Sequence, residues 1–312
     1  MLKVVWWEHT DAAADKLVLE KLLPPRSLQF LCLGSYLSRD FPRWMLDIPS
    51  YLPHLTTIFL VDLKGCSHLP PLGRLPNLRS LSLHKMPNIK SVGREFYGDY
   101  GSCQKLRMIV LLLVDNLEEW WTTRSSKEDG EFLIPNLHLL YASDCPKLKF
   151  LPYPPRSMMW MLENSEHVLP EHGFENLSST TSPFYLEVNG VPPSCEVWRR
   201  AHQYLFSVSI LNLTNMTGLG TLPEAARGFP SLQKLEIEDC DDLETLPEWL
   251  GDLASLREII VKKCPNLSSL PESIQRLTEL KKLHIVDCPA LSDKCQGEDK
   301  RKISHIQQVK FE

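Results

Sequence analysis

The sequence has no long apolar run, no excess of basic residues and no clear export signal. Its longest apolar run, Met108 to Val114, has seven residues, whereas a membrane-spanning helix needs about 20. The segment from Met1 to His9 has no apolar core of the length that a signal peptide requires. A net charge of −5 favours neither nucleic acid nor a membrane surface as the partner. We therefore expect a soluble protein of the cytoplasm, with the nucleus left open as a second compartment.

The sequence also lacks the motifs of common catalytic and cofactor sites. It contains no G-x-x-x-x-G-K-[ST] phosphate loop, no G-x-G-x-x-G, no H-E-x-x-H and no C-x-x-C. No acidic residues are paired as in a catalytic cleft, and the ten histidines are scattered without ligand spacing. We therefore predict that the protein is not an enzyme, and we expect no catalytic residue, no cofactor and no metal site.

A leucine pattern that repeats every 24 residues dominates the C-terminal part of the chain. The pattern reads L-x-x-L-x-L-x-x-C-x-x-L-x-x-L-P, and regular copies begin at Leu232, Leu256 and Leu280. Two further copies in the same register begin at Leu137 and Val208, and looser or partial copies begin at Leu28, Leu55, Leu78 and Leu106. This is the leucine-rich-repeat signature with cysteine at the Asn/Cys position.

The repeat pattern predicts the fold. Its L-x-L core indicates a short strand whose alternate residues point inward, and the Leu-Pro step indicates an irregular or short helical segment. One unit buries about five aliphatic side chains, worth about 10 kcal/mol, against about 24 kcal/mol of backbone entropy. Single units therefore cannot fold alone and must stack. We predict an α/β repeat fold, a horseshoe-shaped leucine-rich-repeat solenoid with a parallel β-sheet on the concave face and irregular or short helical segments on the convex side.

We predict a single leucine-rich-repeat domain that covers residues 1–312. Its successive parts are a partial N-terminal repeat (1–27), repeats (28–152), degenerate repeats (153–205), regular 24-residue repeats (206–291) and a C-terminal cap (292–312). Within the degenerate part, strands are expected near Met158–Met161 and Tyr185–Val188. In the cap, the apolar residues of the segment 303–311 are expected to cover the open end of the core.

Four cysteines share one repeat position, just after the predicted strand: Cys145, Cys240, Cys264 and Cys288. A small buried thiol that fills a turn is the expected role. Neighbouring copies would lie close enough for a disulfide. Parallel side chains and a reducing compartment argue against such a bond.

The outward residues of the strands provide the predicted binding surface. The middle strands carry an apolar set: Phe59, Val61, Met108, Val110, Leu112, Leu139 and Tyr141. The C-terminal strands carry a charged set, for which plain solvation is the alternative: Glu236, Glu238, Lys262, Lys282 and His284. Exposed apolar patches with aromatic anchors mark interaction sites, so the apolar set is the predicted partner-binding stripe. The alternatives are that loops such as Thr122–Phe132 or Arg94–Gln104 fold over it, or that these units are decayed repeats.

Several segments, in the same order, resemble motifs of one protein family. Leu69–Leu81 (LPPLGRLPNLRSL) and Val92–Asp99 (VGREFYGD) look like the repeat region of plant coiled-coil nucleotide-binding leucine-rich-repeat disease-resistance proteins. Phe41–Met45 (FPRWM) and Leu117–Trp120 (LEEW) resemble further motifs of that region. The C-terminal CPAL and ISHI segments are similar to the family's usual ending.

This resemblance implies a protein-protein recognition module of plant innate immunity. Such a module senses pathogen effectors directly or through a guarded host protein, and in a full-length receptor it regulates the nucleotide-binding switch. The implied partner is a protein: an effector, a guarded host protein or the nucleotide-binding module. The phosphate loop is missing here, so nucleotide switching is not expected of this chain itself. The alternative function is a generic intracellular leucine-rich-repeat scaffold or adaptor without an immune role.

Overall fold

The computed structural model describes residues 1–6, 11–98, 101–124, 131–152, 154–155, 157–169, 184–190 and 206–312. The chain divides into two compact units. Unit 1 comprises Met1–Ser157 and His167–Leu169, and unit 2 comprises Met158–Glu166 and Pro170–Glu312. Both units are stacks of short parallel strands, one strand for each repeat, which confirms the predicted leucine-rich-repeat fold.

Unit 1 contains six strands of one parallel sheet. In spatial order they are β1 (Leu2–Val5), β2 (Phe30–Gly34), β3 (Thr57–Val61), β4 (Ser80–His84), β6 (Met108–Leu112) and β8 (Leu137–Ser143). Each strand is in register with the next, so that Leu31, Ile58, Leu81, Ile109 and Leu140 lie side by side. The sequence pattern predicted this stacking.

A second, smaller parallel sheet in unit 1 was not predicted. It consists of β5 (Ser91–Val92), β7 (Glu119–Trp121) and β9 (Lys149–Leu151). Four helices accompany these strands: α1 (Ala12–Lys21), α2 (Arg43–Leu46), α3 (Ile48–Tyr51) and α4 (Arg94–Tyr97). One 3-10 turn, Leu72–Arg74, packs against α4.

In the part of unit 2 that the structure describes, seven parallel strands follow one another in the sheet. They are β10 (Ser157–Glu163, of which Ser157 belongs to unit 1), β11 (Tyr185–Asn189), β12 (Ile210–Thr214), β13 (Lys234–Glu238), β14 (Glu258–Lys262), β15 (Lys282–Val286) and β16 (Gln308–Phe311). Strands therefore occur at both places expected within the degenerate stretch. The 3-10 segments are Glu166–Val168 (residues 167–168 in unit 1), Glu224–Gly228, Glu248–Asp252, Glu272–Arg276 and Glu298–Ile303, and α5 is Pro289–Gln296.

The Leu-Pro step begins a short helical turn in three successive repeats of unit 2, those that begin at Val208, Leu232 and Leu256. Pro223, Pro247 and Pro271 each stand directly before a five-residue 3-10 helix. Proline suits this position because its fixed φ matches the first helical turn and its missing N–H would have no partner there. The short helical segments of the predicted architecture are thus set by this dipeptide.

The inward residues of the strands form the core, as the alternation predicted. In β13, Leu235 and Ile237 are buried, whereas the residues between and beside them are half-buried. Cys145, Cys240, Cys264 and Cys288 are buried, free thiols, which confirms their expected role in filling the turn. Cys288 accepts a hydrogen bond at its Sγ from the Cys264 N–H, at 3.3 Å. Cys195 lies outside the described residues.

A left-handed residue follows the strands in both units. Asp239, directly after β13, has φ 53°, and its N–H donates to the Lys262 carbonyl at 3.1 Å. The same conformation recurs at Ser35, Asp62, Lys85, Leu113, Asp144, Asn164, Asn215, Lys263 and Asp287. Asp and Asn tolerate positive φ better than most residues, which explains why they dominate this position. The turn directs the next side chain, cysteine in the regular repeats, into the core.

The two ends of the chain differ from the regular repeats. The N-terminal segment forms β1 and α1, where Leu19 is buried but Leu17, expected to join a partial repeat, is 57% exposed. At the other end, β16 pairs with β15 in parallel and adds a strand to the sheet. A buried ion pair supports that end, because Lys302 Nζ lies 2.9 Å from Asp299 Oδ1 and donates to the Leu270 carbonyl at 2.8 Å.

Candidate functional site

The outward side chains of β2, β3, β4, β6 and β8 form a surface that we call the strand face of unit 1. Strand register arranges them in three rows across the sheet. The first row is Phe30, Thr57, Ser80, Met108 and Leu139; the second is Cys32, Phe59, Ser82, Val110 and Tyr141; the third is Gly34, Val61, His84, Leu112 and Ser143. No formally charged residue other than a titratable histidine occurs among these fifteen, so this surface is apolar and nearly uncharged.

The predicted apolar set lies on this face, but β4 divides it into two parts. Phe59 and Val61 lie on one side of β4, and the apolar residues of β6 and β8 lie on the other. Between them, Ser80 and Ser82 are 8% and 6% exposed, because larger neighbours rise on both sides. Ser80 and Ser82 are therefore recessed between the larger side chains of β3 and β6, and we call this recess the β4 groove.

The sequence prediction missed one aromatic member of this surface. Phe30 occupies the first outward position of β2, and its ring centroid lies 5.4 Å from that of Phe59. Such a tilted pair is a favourable aromatic geometry. The outward position of Phe30 in the first clear repeat was the signal that could have identified it.

The described parts of the two loops form hydrogen bonds with the second sheet of unit 1. In the first loop, the Tyr97 hydroxyl donates to the Trp121 carbonyl at 2.9 Å. In the second loop, the Thr122 N–H donates to the Leu151 carbonyl at 2.7 Å. Both bonds hold their loops against the second sheet, and the predicted residues Met108, Val110, Leu112, Leu139 and Tyr141 are half-buried rather than enclosed. Residues 99–100 and 125–130 of these loops lie outside the described residues.

The strand face of unit 2 has a different chemistry, with charges that pair with one another. Glu236 contacts Lys234 at 2.9 Å and Lys262 at 2.7 Å between carboxylate oxygen and ammonium nitrogen. Lys262 also lies 3.6 Å from Glu238, and Lys282 lies 3.9 Å from Glu258. The predicted charged residues are thus partly occupied by interactions within the sheet.

Hydrogen bonding shifts the titration of this network. Burial acts to raise the pKa of Glu236, but the hydrogen bonds from Lys234 and Lys262 outweigh it and hold the pKa below its ordinary value. The hydrogen bond to Glu236 raises the pKa of Lys262. Ile260, next to Glu236 in the register, is only 8% exposed. In this part of the face, the ion pairs of Glu236 and Lys262 surround the nearly buried side chain of Ile260.

His284 is an outward residue of β15, as predicted, and it is half-buried. Its Nε2 lies 3.3 Å from Glu312 Oε1. It therefore faces a carboxylate at the end of the sheet rather than open solvent alone.

A cavity of about 660 Å³ opens beside the second sheet of unit 1. Arg94, Tyr97, Trp121, Arg124 and Leu133 are among the residues that line it. Within the described ranges, no group of three or more His, Cys, Asp and Glu side chains could hold a metal ion. Of the helices in those ranges, none combines the length and the apolar character needed to cross a membrane.

Comparison with known sequences places these repeats beside plant disease-resistance proteins. Residues 1–86 match the family described as R13L1/DRL21 leucine-rich repeats. Disease resistance RPP13-like protein 1 of Arabidopsis thaliana is 35% identical over 139 residues, which are 42% of this chain and 13% of that protein. Disease resistance protein RGA2 of Solanum bulbocastanum is 28% identical over 144 residues, 45% of this chain and 14% of that protein. The matched region thus spans only about a seventh of each relative's length.

Two solved structures of leucine-rich-repeat or internalin proteins align with most of this chain at low identity. The leucine-rich-repeat domain of the type III effector XopL aligns over 90% of this chain and 75% of its own, at 21% identity and a TM-score of 0.36. An internalin from Listeria monocytogenes aligns over 91% and 80%, at 14% identity and a TM-score of 0.33.

Proposed function

We propose that this chain is a protein-recognition module of plant innate immunity, because its repeats are similar to those of plant disease-resistance proteins. In this role it senses a pathogen effector, directly or through a guarded host protein. Within a full-length receptor it also regulates the nucleotide-binding switch. The whole of residues 1–312 acts as one recognition domain in this proposal, in the cytoplasm or nucleus, and neither nucleic acid nor a membrane is its target.

One observation supports the proposal: the strand face of unit 1 is nearly uncharged, and its apolar outward side chains are half-buried rather than fully enclosed. The apolar outward side chains are only partly buried in this chain, so the full free energy of burying them is not gained. They include Phe59, Val110, Leu112 and Tyr141. A partner protein supplies that burial, and aromatic residues at the centre of such a patch dominate interface energy.

The experiment is a proximity-labelling or two-hybrid screen of the chain against pathogen effectors and host proteins, followed by a double substitution. Val110→Glu with Tyr141→Glu places two carboxylates in neighbouring positions of the second row. Any partner bound at the strand face should lose at least about 10-fold in affinity, because unpaired charges would be buried in the interface. Circular dichroism and thermal unfolding of the variant check that the repeats remain folded.

A matched control comes from equivalent positions of two adjacent repeats in unit 2, outside the strands. Ala254→Glu with Thr278→Glu also places two carboxylates at exposed, repeat-related positions, and it should leave the affinity for a partner of unit 1 unchanged. Equal loss in both variants would point to general damage. Unchanged binding in the unit 1 variant would refute the strand face of unit 1 as the partner-binding surface.

The charged set of unit 2 is a second proposed contact region, formed by Glu236, Glu238, Lys262, Lys282 and His284. Its ion pairs favour a role in choosing among partners, because charge arrangement affects specificity and encounter rate more than affinity. The alternative function, an intracellular scaffold or adaptor without an immune role, shares this binding surface. Partners drawn only from host proteins unrelated to defence would favour that alternative.

A further inference from the structure

A basic edge borders the strand face of unit 1 along the N-terminal ends of its strands. Backbone hydrogen bonds align the residues that precede the strands: the N–H of Arg79 donates to the Thr56 carbonyl, and that of Arg107 to the Arg79 carbonyl, both at 2.8 Å. The His138 N–H donates to the Arg107 carbonyl at the same distance. These side chains are exposed and lie in one line at the border of the face.

The segments that lead into β2, β3, β4, β6 and β8 contain basic residues and no acidic ones. Residues 24–29, 52–56, 75–79, 102–107 and 133–138 contribute Arg26, His54, Arg79, Lys105, Arg107 and His138. At the same place in unit 2, residues 253–257 contribute Arg257, whereas residues 277–281 contain Glu279 beside Lys281. The run of five consecutive segments that carry basic and no acidic residues therefore lies in unit 1.

Carboxylates do not neutralise this edge within the described residues. Lys105 donates to Asn77 Oδ1 at 2.7 Å, and Arg107 donates to the Asn136 carbonyl at 2.9 Å. Both partners are neutral groups that position the cations without cancelling their charge. None of the six basic residues forms an ion pair with a described acidic side chain.

The adjoining face carries almost no charge, and its groove along β4 has an unsatisfied hydroxyl at the floor. Ser80 Oγ is buried and has no hydrogen-bond partner among the described residues. Met108 forms part of the adjacent wall, and its flexible thioether chain can move aside. An aromatic side chain with a polar tip, tyrosine or tryptophan, suits such a groove because its body is apolar and its tip needs a partner.

We propose that the partner of unit 1 presents an acidic-aromatic segment, with carboxylates against the basic edge at Arg79 and Arg107 and a tyrosine or tryptophan in the β4 groove. This proposal rests on the strand face being the partner-binding surface, as proposed above, and adds the chemistry and orientation of what binds there. The apolar face favours a protein segment over a nucleic acid, because a phosphate chain would need cations across the whole surface.

The experiment pans a phage-displayed library of short random peptides on the full chain at low ionic strength. Enriched peptides should combine aspartate or glutamate with tyrosine or tryptophan. Arg79→Glu with Arg107→Glu should slow the association of these peptides by about 10-fold or more and remove most of its salt dependence, because electrostatic steering sets the encounter rate. Ser80→Ala should weaken binding by about 3-fold or more while leaving thermal unfolding unchanged, because one hydrogen bond is lost.

A matched control is available at the same repeat position of unit 2. Arg257→Glu with Lys281→Glu reverses two charges that are aligned in the same way, since the Lys281 N–H donates to the Arg257 carbonyl at 2.9 Å. Association of the peptides should not change. Peptides in which acidic residues are replaced by lysine should bind the Arg79→Glu, Arg107→Glu variant better than the original chain, which a merely structural role of the two arginines would not produce.

The outcomes separate this inference from the proposed function. One outcome is that the Val110→Glu, Tyr141→Glu variant loses binding of the selected peptides, while the peptides are not rich in acidic residues and still bind the Arg79→Glu, Arg107→Glu variant. This outcome would support the proposed binding surface and overturn the acidic-aromatic partner. Peptide binding that neither variant weakens would overturn both the proposed binding surface and the acidic-aromatic partner. No enriched peptide, or tight binding of single-stranded oligo-dT that the arginine reversal abolishes, would also overturn the acidic-aromatic partner.

Discussion

The Trp120 indole N–H donates a hydrogen bond to the Tyr97 hydroxyl at 2.8 Å, inside the core of unit 1. The hydroxyl in turn donates to the Trp121 carbonyl at 2.9 Å. Phe96 packs against the same tryptophan, with its ring centroid 5.8 Å from that of Trp120 in an edge-on geometry. We call this contact of Phe96, Tyr97 and Trp120 the aromatic joint. The segments VGREFYGD and LEEW, which carry the family resemblance, are therefore two halves of one buried contact.

The hydrogen bonds of the aromatic joint predict that removal of the Tyr97 hydroxyl lowers the stability of unit 1. Tyr97→Phe leaves the buried Trp120 N–H and the Trp121 carbonyl without this partner, so the free energy of unfolding should fall by about 1–3 kcal/mol. Urea unfolding measured by tryptophan fluorescence checks it. Tyr51→Phe is the control, because Tyr51 is 41% exposed and its hydroxyl can bond water. A Tyr97→Phe variant as stable as the parent would contradict the importance of the joint.

Leu113 occupies the left-handed position after β6, with φ 55°. A side chain such as leucine is strained there, and it is 38% exposed, so little burial is lost on replacement. Leu113→Asn should raise the unfolding free energy by about 0.5–1 kcal/mol, because Asn tolerates this conformation.

The reverse exchange provides the matching test. Asp239 has the same conformation after β13, and Asp239→Leu should lower the stability by about 1–2 kcal/mol. Differential scanning calorimetry of both variants measures the effect. Similar shifts of the same sign in the two variants would show that side-chain contacts, not backbone conformation, decide this position.

Thiol reactivity should follow burial. Burial raises the pKa of Cys66, Cys103 and Cys295 to about 12, so almost none of each is thiolate at neutral pH. Half-buried Cys32, on β2, should react first among the described cysteines with a thiol reagent. Peptide mapping of labelled native and urea-unfolded protein measures the order. Rapid native labelling of Cys66 would contradict the packed core.

The Glu236 network predicts an acid-sensitive contribution to stability. Because the folded-state pKa of Glu236 is depressed, its stabilisation is present above the unfolded pKa, about 4.3, and is lost as pH falls through the folded pKa. Glu236→Gln should lower the melting temperature at pH 7, with a free-energy loss of about 1 kcal/mol for this partly exposed network. The difference from the parent should shrink as the pH falls below about 4. A constant difference from pH 7 to pH 3 would contradict the ion-pair account.

Sequence pattern predicted the parts of the fold that depend on one repeat at a time. The inward positions Leu235, Ile237 and Cys240 follow from periodicity, because each unit must bury the same set to stack. The second sheet was missed because Ser91–Val92 and Glu119–Trp121 are short and are separated by a variable insertion. These short strands pair only when successive repeats have stacked on one another.

The candidate site was predicted in composition but not in arrangement. Outward alternation identified Phe59, Val110 and Tyr141, since alternate residues of a strand share one face. It did not reveal that Ser82 separates the first two, because a cross-strand neighbour depends on register between distant segments. The same dependence on register hid the pairing of Glu236 with Lys262.

The sequence by itself determined the repeat, its inward leucines and cysteines, and the Leu-Pro turns, because these depend on spacing within about 24 residues. The tertiary structure decided which outward residues become neighbours: the serine groove of β4, the aligned Arg79 and Arg107, and the buried contact between Tyr97 and Trp120. Stacking is the physical reason, because it joins residues of different repeats into one surface only after every strand has found its register.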